Sequence, residues 1–226
     1  AWPPASPPAL LQVGGEILGC GAWEAAVMLL DTTGAAHAIA LHDRDPSARE
    51  AWARGVLGSA RGLPYLAPHA ALPPGTRIVH TGIGGVGFAS LPAARRAEAL
   101  TELHTAARVQ VRDRCTRDAL AAAGLDAELV PDPAVLVERL LGAEVTRSAA
   151  TGEIAVLRAR FPRGYVAVQL AAESGDDATL ATLADELAAI ARDRGLSIVL
   201  FCAGRAPWHD DPEVLERLRR RLPDPK

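Results

Sequence analysis

A strand ending in Arg-Asp, a helix closed by glycine and a second strand ending in Pro-Asp-Pro fill residues 109–134. This unit restricts the fold more than any other feature of the chain. Val109-Gln110-Val111 is a short β-branched strand, and a helix follows it up to Gly124, a residue suited to a helix stop. Leu129-Val130 then leads into Pro131-Asp132-Pro133. Arg112, Asp113 and Asp132 therefore stand at the carboxyl ends of two successive strands. Open α/β sheets bind their ligands at that edge.

The same alternation runs along the rest of the chain. Residues 10–13 predict a buried strand that turns at Gly14-Gly15-Glu16. Residues 22–30 carry a helical apolar stripe, and 35–41 read equally as strand or helix. Residues 47–59 are helical, with Ser47 as a possible cap, and 60–76 are a loop rich in Pro and Gly. Arg77-Ile78-Val79-His80 is a strand running into Thr81-Gly82-Ile83-Gly84-Gly85-Val86-Gly87, and residues 92–105 form a helix with Pro92 in its first turn. The pattern restarts at Tyr165 with a strand over 165–170. A helix over 178–194 follows, stopped by Gly195, and then a strand over 197–202. The fold class expected is α/β, with two Rossmann-like units of mainly parallel sheet and helices on both faces. The first covers residues 1–145 and the second 163–226, with the boundary between 145 and 162.

Composition excludes several classes. The formal charge of −3 gives no electrostatic case for nucleic acid or an anionic membrane. Cys20, Cys115 and Cys202 are far apart and form no Cys-x-x-Cys pair, so neither zinc nor a disulfide framework is suggested. No apolar run is long enough to span a bilayer. No metal and no cofactor are expected, and cytosolic residence is the default. The chain starts without Met and ends soon after a helix, which reads as an internal piece of a longer protein.

The motif residues have functional and structural readings. Arg112, between a strand and a helix N-terminus, suits a phosphate or carboxylate through its planar fork; the alternative is a surface pair with Asp113 or Asp118. Asp113 is read as a helix cap, with Thr116 in the same turn. Asp132 orients Arg112 or a sugar hydroxyl, or it closes a local turn. The run from Gly82 to Gly87 lacks the Lys of a phosphate loop, so Gly84 and Gly85 mark either a close backbone approach to something in the cleft or tight strand-to-loop packing. Glu16 is either a site carboxylate or a solvated loop residue. Asp211, before Pro212 and Glu213, is read as a helix cap.

Val111-Arg112-Asp113, Thr116, Leu120, Gly124 and Asp132-Pro133-Ala134 resemble the V-R-D-x-x-[ST]-x-x-x-L-x-x-x-G…D-P-[AS] segment of the polysaccharide pyruvyl transferase family. The weaker likeness extends from about residue 10 to the end. It includes Gly14-Gly15, His80-Thr81-Gly82-Ile83-Gly84-Gly85 and the loop carrying His209-Asp210. The family's N-terminal Gly-Asp and C-terminal Arg-Leu-His segments have no counterpart in these residues.

The resemblance implies a glycosyltransferase-B-like enzyme that moves a pyruvyl group from phosphoenolpyruvate to a sugar of a polysaccharide or glycan precursor. Phosphoenolpyruvate is protonated at C3 and a sugar hydroxyl adds at C2. Phosphate leaves, and a second hydroxyl closes the ketal. Arg112, Asp113, Asp132, Gly84, Gly85 and Gly15 are then substrate-binding candidates, and His80 and His209 candidate acid–base groups. His80 is also readable as a structural histidine. The partners implied are phosphoenolpyruvate and a glycan acceptor, and this stretch alone is expected to be inactive. A nucleotide-sugar glycosyltransferase and a non-catalytic α/β module are the alternatives.

Overall fold

Short β-branched runs separated by capped helices build an α/β chain, described here by a computed structural model covering residues 7–171, 174–204, 207–208 and 212–223. The chain divides into two compact units, Ala1–Leu29 with His37–Leu141, and Leu30–Ala36 with Gly142–Lys226.

The first unit holds a four-stranded parallel sheet. Its strands are β1 (Ala9–Val13), β2 (Arg77–Ile83), β3 (Arg108–Val111) and β4 (Glu128–Leu129), side by side in chain order. Gln12 lies opposite His80, and His80 opposite Val109. The register of β2 against β3 then shifts, so that Ile83 faces Val111. Gln110 and Val111 pair with Glu128 and Leu129. Between the strands run α1 (Ala22–Met28), α2 (Thr32–His42, whose start up to Ala36 is counted with the second unit), α3 (Pro46–Leu57), α4 (Ala93–Thr105) and α5 (Arg114–Ala122). The ambiguous stretch 35–41 is thus helical. Asp45 caps α3 by accepting the N–H groups of Ser47 and Ala48, a job the sequence assigned to Ser47. Gly58 ends that helix in the left-handed region.

The core of this unit joins Ile83 and Val111 from the sheet to Ala99 and Leu103 of α4 and Leu120 of α5. Leu18, Leu63, Leu66 and Phe88 close it from the loops. The long 60–76 loop is not loose. Arg61 bonds Glu102 at 3.0 Å, and Glu98 and Glu102 accept the backbone N–H groups of Gly62 and His69. Along β1, Leu10 and Gln12 are partly buried, whereas Leu11 and Val13 are 61% and 55% exposed. Burial on both faces is the norm for parallel sheets, and it is not reached along this strand.

The second unit contains β5 (Tyr165–Val168) and β6 (Ser197–Leu200), paired in parallel in a separate sheet. Two helices, α6 (Val137–Ala149) and α7 (Gly152–Arg160), precede β5. The polar 142–152 stretch is therefore mostly helical. The unit continues with α8 (Asp177–Arg194) and α9 (Pro212–Arg219). Asp176 caps α8, and Gly195 stops it at φ 64°. Leu180, Ala184 and Leu187 of α8 pack with Val168 and with Val214 and Leu218 of α9. Asp177 ties α8 to α9 through Arg217 at 2.8 Å, and to the turn after α9 through Arg221 at 2.6 Å. Among the described residues no helix is long and apolar enough to cross a membrane.

Candidate functional site

Three loops that follow β1, β2 and β3 meet at the carboxyl edge of the four-stranded sheet, all within the first unit. Their backbones are tied together before any side chain is considered. The N–H of Gly14 donates to Thr81 O at 2.8 Å, and that of Gly84 to Gly15 O at 2.7 Å. Leu18 N–H donates to Gly84 O, and Arg112 N–H to Ile83 O. Gly15 serves here through its carbonyl.

Close approach explains the glycines. Gly82 has φ +63°, and a Cβ there would lie 2.2 Å from Cδ of Pro133. At Gly84 a Cβ would lie 2.2 Å from a Glu16 carboxylate oxygen and 2.8 Å from the Arg112 guanidinium. The missing side chains leave room for the charged groups.

Arg112 is the centre of the site. It donates from one terminal nitrogen to Asp132 at 2.9 Å and from the other to Glu16 at 3.0 Å. All three side chains remain 30–40% exposed. Partial burial pulls the guanidinium down, but the hydrogen bonds and charges of Asp132 and Glu16 outweigh it and hold Arg112 above its ordinary value. The second oxygen of Asp132 caps the turn Pro133–Leu136 by accepting Ala134 N–H at 2.9 Å. That bond, and then Arg112, hold its carboxyl below the usual range. Asp132 thus performs both readings at once, the local turn and the orientation of Arg112.

Glu16 bridges in the same manner. Its other carboxylate oxygen accepts the Val86 N–H at 2.7 Å. The N–H groups of Gly84, Gly85 and Val86 are therefore all engaged within the protein, by Gly15, Thr116 and Glu16.

Asp113 caps α5, accepting the Thr116 N–H at 2.7 Å on one oxygen and the Thr116 hydroxyl at 2.7 Å on the other. Thr116 is fully buried, and its hydroxyl accepts from Gly85 N–H at 2.8 Å. Asp113 consequently braces the glycine loop through Thr116, with both oxygens occupied.

His80 does not join this cluster. His80 was expected to face the cleft, but it is fully buried on β2 because it alternates in phase with buried Ile78. Neither ring nitrogen has a hydrogen-bond partner, and burial lowers its proton affinity despite the counteracting charge of Glu102. An imidazole closed to solvent does not exchange protons with a ligand at the sheet edge. His209 and the proposed Asp211 cap lie outside the described residues.

Sequence reasoning favoured a solvated loop residue for Glu16 over a site carboxylate, and it missed the Val86 N–H altogether. Glu16 reaches Arg112 across 96 residues and the Val86 N–H across 70, and neither contact has a local signature. Beside this loop, burial, then Glu24 and Glu16, push the Cys20 thiol up to about 11, which favours the thiol over the thiolate. Among the described residues no group of His, Cys, Asp and Glu is arranged to hold a metal ion. A shallow hollow of about 430 Å³ lies at the opposite edge of the sheet, lined by His104, Arg108, Asp126 and Glu128, and shares no residue with the site.

The arrangement presents a fixed guanidinium, partly open to solvent, between two carboxylates and over a glycine loop. It is suited to orienting a small anionic or hydroxylated ligand. Comparison with protein-family models, curated proteins and solved structures finds no match to this chain.

Proposed function

We propose that this chain carries the donor-binding half of a pyruvyl transferase, an enzyme that moves the pyruvyl group of phosphoenolpyruvate onto a glycan hydroxyl pair as a ketal. In this reading the two units are Rossmann-like halves of a glycosyltransferase-B-like fold. The observation that carries the proposal is Arg112, held at the end of β3 by Asp132 from the end of β4. These are the same residues through which the sequence resembles the pyruvyl transferases. Arg112 binds the donor's carboxylate or phosphate, Asp132 fixes the direction of its fork, and the Asp113–Thr116–Gly85 chain keeps the glycine loop close. His80, shut away from this cluster, is not the general acid or base in this reading.

The test is a titration of phosphoenolpyruvate into the protein, followed by phosphorus NMR and calorimetry. Saturable binding that weakens in Arg112→Lys is expected. Absence of binding, or binding of a nucleoside diphosphate sugar in its place, would contradict the proposal.

A further inference from the structure

We infer that Glu16 is a built-in competitor at a carboxylate subsite, and that a carboxylate ligand takes its place between Arg112 and the Val86 N–H. The inference deepens the donor-binding reading above and rests on it for the identity of the ligand. Its basis is the way Glu16 is held. One oxygen receives a backbone N–H at 2.7 Å and the other a guanidinium N–H at 3.0 Å. A planar carboxylate is thus gripped at both oxygens by two charge-stabilising donors. Gly84 supplies the space: a Cβ there would touch the bound oxygen at 2.2 Å, and a Cβ at Gly19 would reach the other at 3.1 Å. The pair is 30% and 40% exposed, so a ligand from solvent has access.

The charge balance sets the order of events. Arg112 carries one positive charge against the two negative charges of Glu16 and Asp132, so an added carboxylate is repelled while Glu16 stands in place and must displace it. Displacing Glu16 releases one donor on Arg112 and the Val86 N–H together, while Asp132 continues to hold the guanidinium in place. Glu16 is part of the loop that follows Gly14-Gly15. Its side chain clears the site by rotamer change without breaking the Gly84 N–H to Gly15 O bond. Glu16 therefore sets how tightly the site accepts a carboxylate, and selects ligands able to outcompete it.

The experiment measures pyruvate and phosphoenolpyruvate affinity by calorimetry in the wild-type chain, Glu16→Ala, Glu16→Gln and Glu128→Gln. The last removes an equal charge from the opposite sheet edge. The Val86 amide is followed by ¹H–¹⁵N NMR. Pyruvate binding about tenfold or more tighter in both Glu16 variants is expected, with no gain in Glu128→Gln. Pyruvate should also return the Val86 amide of Glu16→Ala toward its wild-type position. If Glu16→Ala is unfolded, the near-isosteric Glu16→Gln decides alone. Equal pyruvate affinity in wild type and Glu16 variants, or an equal gain in Glu128→Gln, overturns the inference. Phosphoenolpyruvate binding by the wild type in that case leaves the donor reading standing. Tighter pyruvate binding with no phosphoenolpyruvate binding in any variant supports the subsite and removes the donor assignment.

Discussion

The hydroxyl of Thr116 links Gly85 to Asp113: it accepts the Gly85 N–H at 2.8 Å and donates to the Asp113 carboxylate at 2.7 Å. One buried oxygen thereby fastens the loop after β2 to the first turn of α5. Thr116→Val keeps the shape but orphans a backbone donor and one carboxylate oxygen. Leaving such groups unpaired costs about 1–3 kcal/mol. Urea unfolding should show a loss of that order, and Thr116→Ser should recover most of it. A Thr116→Val variant as stable as the wild type would show that the loop does not depend on this bond.

Gly82 makes a separate prediction. Its φ of +63° disfavours any side chain, and an alanine Cβ would sit 2.2 Å from the rigid ring of Pro133. The left-handed backbone alone costs about 1–2 kcal/mol, and overpacking adds about 1–3 kcal/mol. Gly82→Ala should lose at least about 2 kcal/mol in urea unfolding. Gly84→Ala meets only the movable ends of Glu16 and Arg112, so it should disturb ligand binding more than folding. The reverse order of the two effects would contradict this account of the loop.

Local signals made much of the fold legible, and long-range contacts made the rest illegible. The Asp113 cap, the Gly195 stop and the strands at 77, 109, 165 and 197 are all written in adjacent residues. The helix through Gly142 was hidden because its small and polar residues lack an apolar stripe over 142–152. Arg112 and Asp132 were placed together by the strand–helix–strand pattern, since each ends a neighbouring strand. Glu16 is 96 residues from Arg112, and only the order β1-β2-β3 in the sheet brings its loop alongside. His80 was readable both ways: its position next to the glycine run suggested the edge, whereas strand alternation turns it inward, as the structural reading has it.

His80 gives a pH prediction. Burial keeps the imidazole neutral in the folded chain and lowers its proton affinity below the ordinary value near 6.5. The unfolded chain therefore binds a proton that the folded chain resists. The stability associated with neutral His80 is complete above about pH 6.5 and is lost as pH falls toward its lower folded value. His80→Leu removes two unpartnered buried nitrogens, and it should be about as stable as the wild type at pH 7, or more so by about 1 kcal/mol. It should also lose stability less steeply between pH 6.5 and 5. A wild-type profile no steeper than that of His80→Leu over this range would contradict the buried neutral assignment.

The central claim is that Arg112 binds the donor anion, and the most direct measurement is the phosphoenolpyruvate dissociation constant of Arg112→Lys beside its melting temperature. A lysine keeps the charge but loses the planar fork that spans Asp132 and the ligand. Loss of a charge-assisted hydrogen bond of about 1.5–3 kcal/mol weakens binding roughly 10- to 150-fold. The part-exposed side chain contributes little to folding, so the melting temperature should move by only a few degrees. An unchanged dissociation constant, above all with a large fall in melting temperature, would make Arg112 a structural strut between Glu16 and Asp132 and contradict the account.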